Sequence, residues 1–136
     1  MIKYVTGFLF SPDKKEVVLI QKNRPDWQRD RFNGVGGKIE QDETPLDAMQ
    51  REFFEETGVY IEDWQEFAVI NGPDYEVSFH FAISGKYNQV KTKTDEKIFI
   101  HQVNSLKEIN VIDNTHWLIP MALYGSHDKC LCYYLN

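Results

Sequence analysis

The 136-residue chain offers little from which to build a disulfide scaffold, a thiolate metal centre or a membrane anchor. It has two cysteines, four histidines and no long apolar run. Two cysteines are too few for a disulfide framework. Cys130 and Cys132 are read as projecting to opposite faces of a strand, which argues against a disulfide or a metal site there. Free thiols in a reducing compartment are expected instead. His80, His101, His116 and His127 are scattered, without the spacing of a zinc site or a catalytic imidazole pair. No apolar stretch approaches membrane-spanning length. Met1 to Val5 begins directly on strand-like residues, without a charged leader. The expectation is a cytoplasmic protein with no membrane partner. There is no repeat, low-complexity tract or linker-like stretch, so residues 1–136 are expected to form a single domain around one core.

Positive charge is also scarce. Lys and Arg number 15 against 21 Asp and Glu, a net charge of −6, which argues against a protein that wraps a nucleic-acid polymer or lies on anionic lipid. The deficit is local. Between Glu40 and Glu66 there are ten acids and one base, Arg51, leaving 11 acids and 14 bases elsewhere. A local excess of like charge needs a reason.

What is present reads as alternating strands and helices. Ile2 to Phe10 is rich in β-branched and aromatic residues and ends at the turn Ser11-Pro12-Asp13-Lys14. Glu16 to Gln21 is a short apolar run bounded by charge, hence a buried strand. Asn23 to Arg31 reads as a loop, and Phe32-Asn33-Gly34-Val35-Gly36-Gly37 as backbone that bends or approaches something closely. Thr44, Pro45 and Asp47 form a capping-box-like start and Gly58 a stop, predicting a helix over 45–57. Strands are expected at 67–70, 75–84 and 97–103, the first two joined by the turn Asn71-Gly72-Pro73-Asp74. A second helix is expected over 115–124, opened by Asn114 as a cap. This order predicts an α/β fold with a mixed sheet flanked by helices.

In the helix at 45–57, Leu46, Met49 and Phe53 form one stripe expected to face the core. Glu52, Glu55 and Glu56 fall beside it, as neighbours three and four residues apart. Solvated faces usually interleave lysines, and this face does not. Hard carboxylate oxygens without thiol or imidazole favour Mg²⁺ or Mn²⁺, and Mg²⁺ usually completes its shell with substrate phosphate. The pattern points to phosphate chemistry.

Gly37, five residues, Glu43, seven residues, then Arg51-Glu52-Phe53-Phe54-Glu55-Glu56-Thr57-Gly58-Val59 resembles the Nudix box at every specified position. The resemblance implies the Nudix α/β/α sandwich and hydrolysis of a nucleoside diphosphate linked to another moiety. It implies that Glu52 and Glu56 are divalent-metal ligands, with Glu55 a further ligand or water-holder and the Gly36 carbonyl a backbone ligand. Arg51 and Glu43 would be an orienting pair. Glu96, opening the strand after Thr94-Asp95, would supply another metal ligand or base; its other reading is an ordinary charged loop. Arg24 and Lys38 are candidates for substrate phosphates, or plain surface cations.

Asn33 before the glycines, and Asp113-Asn114 ahead of the second helix, resemble MutT-like members that hydrolyse oxidised purine triphosphates and bind the base with such residues. Asn114 stands where those members carry a second acid; it can still present a donor and an acceptor to a base. Trp27 lies where an aromatic stacks on the base, and alternatively caps the core. Trp117 is expected to pack its helix on the sheet with Leu118, Ile119, Met121 and Leu123. Pro73 and Tyr75 leave ADP-ribose-like sugars and dinucleoside polyphosphates open as substrates. A non-catalytic nucleotide-sensing module is a further alternative, against which stand the retained Glu43, Glu52, Glu55 and Glu56. The favoured reading is a Mg²⁺-dependent nucleoside triphosphate diphosphatase, with Mn²⁺ able to substitute.

Overall fold

The computed structural model describes residues 1–125 and 129–133. Strand β1 (Ile2–Phe10) is central because partners lie along both of its edges. It runs parallel to β6 (Tyr75–Ile83) over its whole length. Its other edge is shared antiparallel by β4 (Val35–Lys38) at the start and β2 (Glu16–Gln21) at the end. β2 in turn pairs with β3 (Phe32–Asn33) and β7 (Ile98–Gln102), and β5 (Gln65–Asn71) links β6 to the edge strand β8 (Cys130–Tyr133). The product is the mixed sheet expected, with eight strands among the described residues.

Both faces of the sheet are covered. α1 (Pro45–Thr57) lays Ala48, Met49 and Phe53 against Val5, Leu9, Val18, Ile20 and Val35. α2 (Thr115–Tyr124) lays Leu118, Ile119, Ala122 and Leu123 against Phe8, Phe10, Val17, Leu19 and Phe79 on the opposite face. A strand covered twice has no wet face, which is why Val17 to Ile20 is apolar at every position.

α1 starts and stops as its residues dictate. The Thr44 hydroxyl accepts from the Asp47 amide at 3.1 Å, and the Asp47 carboxylate accepts from the Thr44 amide at 3.2 Å. Gly58 closes the helix at φ 76°, a left-handed conformation that favours glycine, and donates to the Phe54 carbonyl at 2.8 Å.

Several expectations are corrected. Leu46 is 41% exposed: the buried ridge runs Met49, Phe53, Thr57, and a residue three before Met49 points about 60° away from it. Trp117 is 40% exposed, because Leu118, Ile119, Ala122 and Leu123 already occupy the packed side of α2. Cys130 and Cys132 share one face of β8, as residues two apart in a strand must. Their sulfurs lie 3.6 Å apart, as free thiols half-buried beside the α2-side core. Trp27 is 62% exposed and caps no core. The loop at 23–31 holds a short 3₁₀ turn, Asp26–Gln28, and His127 lies outside the described residues. No helix among the described residues is long and apolar enough to cross a membrane.

Phe53 is fully buried and meets Trp64 at a ring-centroid distance of 5.1 Å. Phe53→Ala is expected to cost about 3–5 kcal/mol. The check is a lowered denaturant midpoint at unchanged slope.

Candidate active site

The two structural features flagged by composition, the acidic helix and the glycine segment, meet at the start of β1. β4 pairs with Tyr4 to Gly7, and α1 crosses above it. A methyl group on Gly37 would lie 2.5 Å from the carboxyl carbon of Glu52. Glycine leaves the carboxylate room on the strand, and a larger residue would push it aside.

Arg51 organises the acids around it. Its Nε and Nη2 donate to the two oxygens of Glu43 at 2.8 and 2.9 Å, a planar fork on a carboxylate. Nη1 donates to Glu52 at 2.8 Å and Glu55 at 3.4 Å, and Nη2 also to the Lys38 carbonyl at 3.0 Å. The fork holds the Glu43 carboxyl below its ordinary pKa. Glu52 and Glu56 go the other way. Burial raises both, and the charges of Glu55 and Glu56 add to the effect on Glu52, against the pull of Arg51. At Glu56, Glu96 and Asp95 add to the effect of burial. The Thr94 hydroxyl donates to Glu56 at 2.7 Å.

Glu52 and Glu56 line an open cavity of about 880 Å³. Gly36, Gly37 and Lys38 line the same cavity, as do Lys22, Arg24 and Glu96. The donor set suits a hard divalent cation. Among the described residues, no three Asp, Glu, His or Cys side chains converge closely enough to hold an ion by themselves. A Mg²⁺ site does not require that, since one or two carboxylates plus substrate phosphate oxygens usually suffice. Two desolvated carboxylates one helical turn apart, facing one cavity, fit that pattern.

Three side-chain amides, Gln28, Asn33 and Asn114, also line the cavity. Asn33 accepts from the Gly34 amide at 2.8 Å and donates to the Gln28 side chain at 3.4 Å, which sets its orientation. The Phe32 carbonyl accepts from the Ile112 amide, bringing the approach to α2 against β3 and carrying Asn114 to the cavity wall. Asn114 sits at the N-cap position but makes no side-chain cap bond. Its Oδ1 is buried without a hydrogen-bond partner. Trp27 lines the cavity as well.

Of the residues singled out by sequence, Arg24, Trp27, Asn33, Gly36, Lys38, Glu52, Glu56, Glu96 and Asn114 line the cavity. Arg51 and Glu43 stand behind the acid face as its support. Glu55 is more exposed, at 54% of its side chain, and Asp113 is exposed; neither lines the cavity. Sequence reasoning missed Lys22 and Gln28. Gln28 had no local signal, while Lys22 was detectable as the polar end of a buried strand.

A mixed sheet between two helices, with an acidic helix face over a glycine strand, defines a class of phosphate-handling α/β proteins. The NUDIX domain model matches residues 2–121. An uncharacterized Nudix hydrolase, YvcI of Bacillus subtilis (strain 168), is 32% identical over 133 residues, covering 91% of this chain and 81% of that protein. The chain belongs to the Nudix hydrolase family and is an enzyme acting on phosphoric anhydrides. Two solved structures share the fold. The MutT protein of Bacillus halodurans has a TM-score of 0.78 at 18% identity, over 98% of this chain and 90% of that one. The NUDIX domain of Shewanella oneidensis NrtR, complexed with ADP ribose, has a TM-score of 0.78 at 16% identity, over 90% and 86%.

Glu43 contributes stability through its ionised form. Because its folded pKa is depressed, that contribution is present above the unfolded value of about 4.3 and lost as pH falls through the folded value. Glu43→Gln is expected to cost about 1.5–3 kcal/mol at pH 7. Denaturant midpoints for the two proteins should begin to converge as pH falls below about 4.3 and meet only below the folded value.

Proposed function

We propose that the enzyme hydrolyses a nucleoside triphosphate to the nucleoside monophosphate and pyrophosphate, using Mg²⁺ with Mn²⁺ as a substitute. The supporting observation is the mixed lining of its cavity. Glu52, Glu56, Lys22, Lys38 and Arg24 share it with Trp27, Gln28, Asn33 and Asn114. The volume lies within the range of nucleotide-sized sites. The buried, unpartnered Asn114 oxygen suits an N–H donor on a base edge.

On this reading Glu52 and Glu56, with the Gly36 carbonyl, hold the divalent ion. When bound, such an ion neutralises phosphate oxygens and acidifies a water. Arg51 keeps Glu52 aimed at the site, and Glu43 keeps Arg51 in plane. Glu55, outside the cavity lining but tied to Arg51 beside Glu52, would hold the attacking water or take its proton on this reading. Lys38 and Arg24 receive the charge of the phosphate chain, and Trp27 offers the base an aromatic face. The substrate is a small nucleotide, and the raised local negative charge makes a nucleic-acid polymer a poor partner.

Glu52→Gln is expected to lower kcat/KM by about 10³ or more while leaving the circular dichroism spectrum intact. Near-normal turnover would remove Glu52 from the chemistry. The substrate class is tested by a panel of ribo-, deoxy- and oxidised-purine triphosphates, ADP-ribose and dinucleoside polyphosphates with Mg²⁺. Pyrophosphate release from a triphosphate is the expected product. If ADP-ribose is cleaved far faster than every triphosphate, the triphosphate reading fails.

A further inference from the structure

Glu96 is 4% exposed, the most deeply buried acid in the described structure. Both of its oxygens are in use. Oε1 accepts from the Lys22 ammonium at 3.1 Å, and Oε2 accepts from the backbone amides of Asn23 at 2.6 Å and Arg24 at 3.3 Å. Around it the same two segments are tied again. The Asn23 side chain donates to the Asp95 carbonyl at 2.7 Å, and the Arg24 guanidinium pairs with the Asp95 carboxylate. These bonds join positions more than seventy residues apart.

The segment held this way is the root of the loop that carries Trp27 and Gln28. Its neck is closed by the backbone: Lys22 donates to Arg31 and Asp30 to Lys22, each at 2.8 Å. The 3₁₀ turn Asp26–Gln28 hangs from that neck, and Gln28 in turn orients Asn33. Without the Glu96 carboxylate, the Asn23 and Arg24 amides and the Lys22 ammonium lose their acceptor, and an unpaired, partly buried donor is costly.

We propose that Glu96 is a positioning residue: its carboxylate pins residues 22–24 and so sets the Trp27–Gln28 wall against which the substrate's base is held. A bracing role, unlike that of a base or a metal ligand, needs only an oxygen acceptor at this position. Thr94 joins this lock to the acid face, because its hydroxyl donates to Glu56 and accepts from the Glu96 amide at 3.2 Å. Glu56 and residues 22–24 are therefore braced by one loop. The proposal rests on the preceding reading only for the identity of the substrate.

The test compares Glu96→Ala and Glu96→Gln. Gln keeps one oxygen for the Asn23 amide, whereas Ala keeps none. Hydrogen–deuterium exchange of the substrate-free protein reads those amides directly. Glu96→Ala should speed exchange at Asn23 and Arg24 by about tenfold or more while leaving α1 protected. With the triphosphate that the panel shows to be hydrolysed fastest, it should raise KM about tenfold and lower kcat far less. Glu96→Gln should keep both amides protected and retain kcat to within about tenfold. The proposal is overturned if Glu96→Gln loses about 100-fold or more in kcat with the amides still protected, as removal of a base or ligand would do. It is also overturned if Glu96→Ala leaves the two amides protected. Should Glu96→Ala open the whole fold, the Gln variant alone decides. The exchange measurement uses no substrate, so a failed triphosphate panel counts against the substrate and not against the lock.

Discussion

A single guanidinium makes the acidic face of α1 tenable. Four carboxylates, Glu40, Glu43, Glu52 and Glu55, lie within 4 Å of Arg51, and Glu56 follows one turn beyond Glu52. Packed on one side of a helix without a cation, those charges would repel and turn outward. With the fork of Arg51 closed on Glu43, the remaining Nη1 reaches Glu52 and Glu55 and fixes them at the rim of the cavity. Glu43 is tied in turn to the backbone amide of Glu40. The charge is thus distributed unequally. Glu43 is held ionised by the fork, whereas burial of Glu52 and Glu56 outweighs what Arg51 gives the first and Thr94 and Lys22 give the second.

That inequality depends on how tightly α1 can approach β4. Phe53 and Met49 draw the helix onto the sheet, and Gly37 leaves room for the Glu52 carboxylate beneath it. The helix is therefore placed by hydrophobic burial on one side while its polar side is pressed against bare backbone. Packing and chemistry share one element, so the position of the acids inherits the rigidity of the core.

The rest of the cavity wall comes from the 22–33 loop, from β6 and from the approach to α2. There hydrogen bonds add to burial: Glu96 joins the 22–24 segment to the loop before β7, and the Phe32 carbonyl joins β3 to the approach to α2.

The helix α1 and its acids were legible in the chain because capping, periodicity and charge are local. Thr44, Asp47 and Gly58 mark its ends, and Glu52 and Glu56 fall one turn apart whatever surrounds them. The strand pattern was legible for the same reason: doubly covered strands are apolar at consecutive positions. Face assignments were less secure. Leu46 and Trp117 turned outward because a stripe read from spacing does not say where the sheet ends, and the cysteines of β8 shared a face that had been misjudged. The task of Glu96 lay wholly outside the linear pattern. Its charged neighbours suggest a solvated loop, yet it is buried because residues 22–24, more than seventy positions away, supply donors that only folding brings near. Sequence alone thus determined which acids share one helix face, since their spacing along one helix is set by the helix itself. Tertiary structure decided which carboxylates are compensated, which are left desolvated and which serve as braces. Those differences arise from burial and from partners distant in the chain.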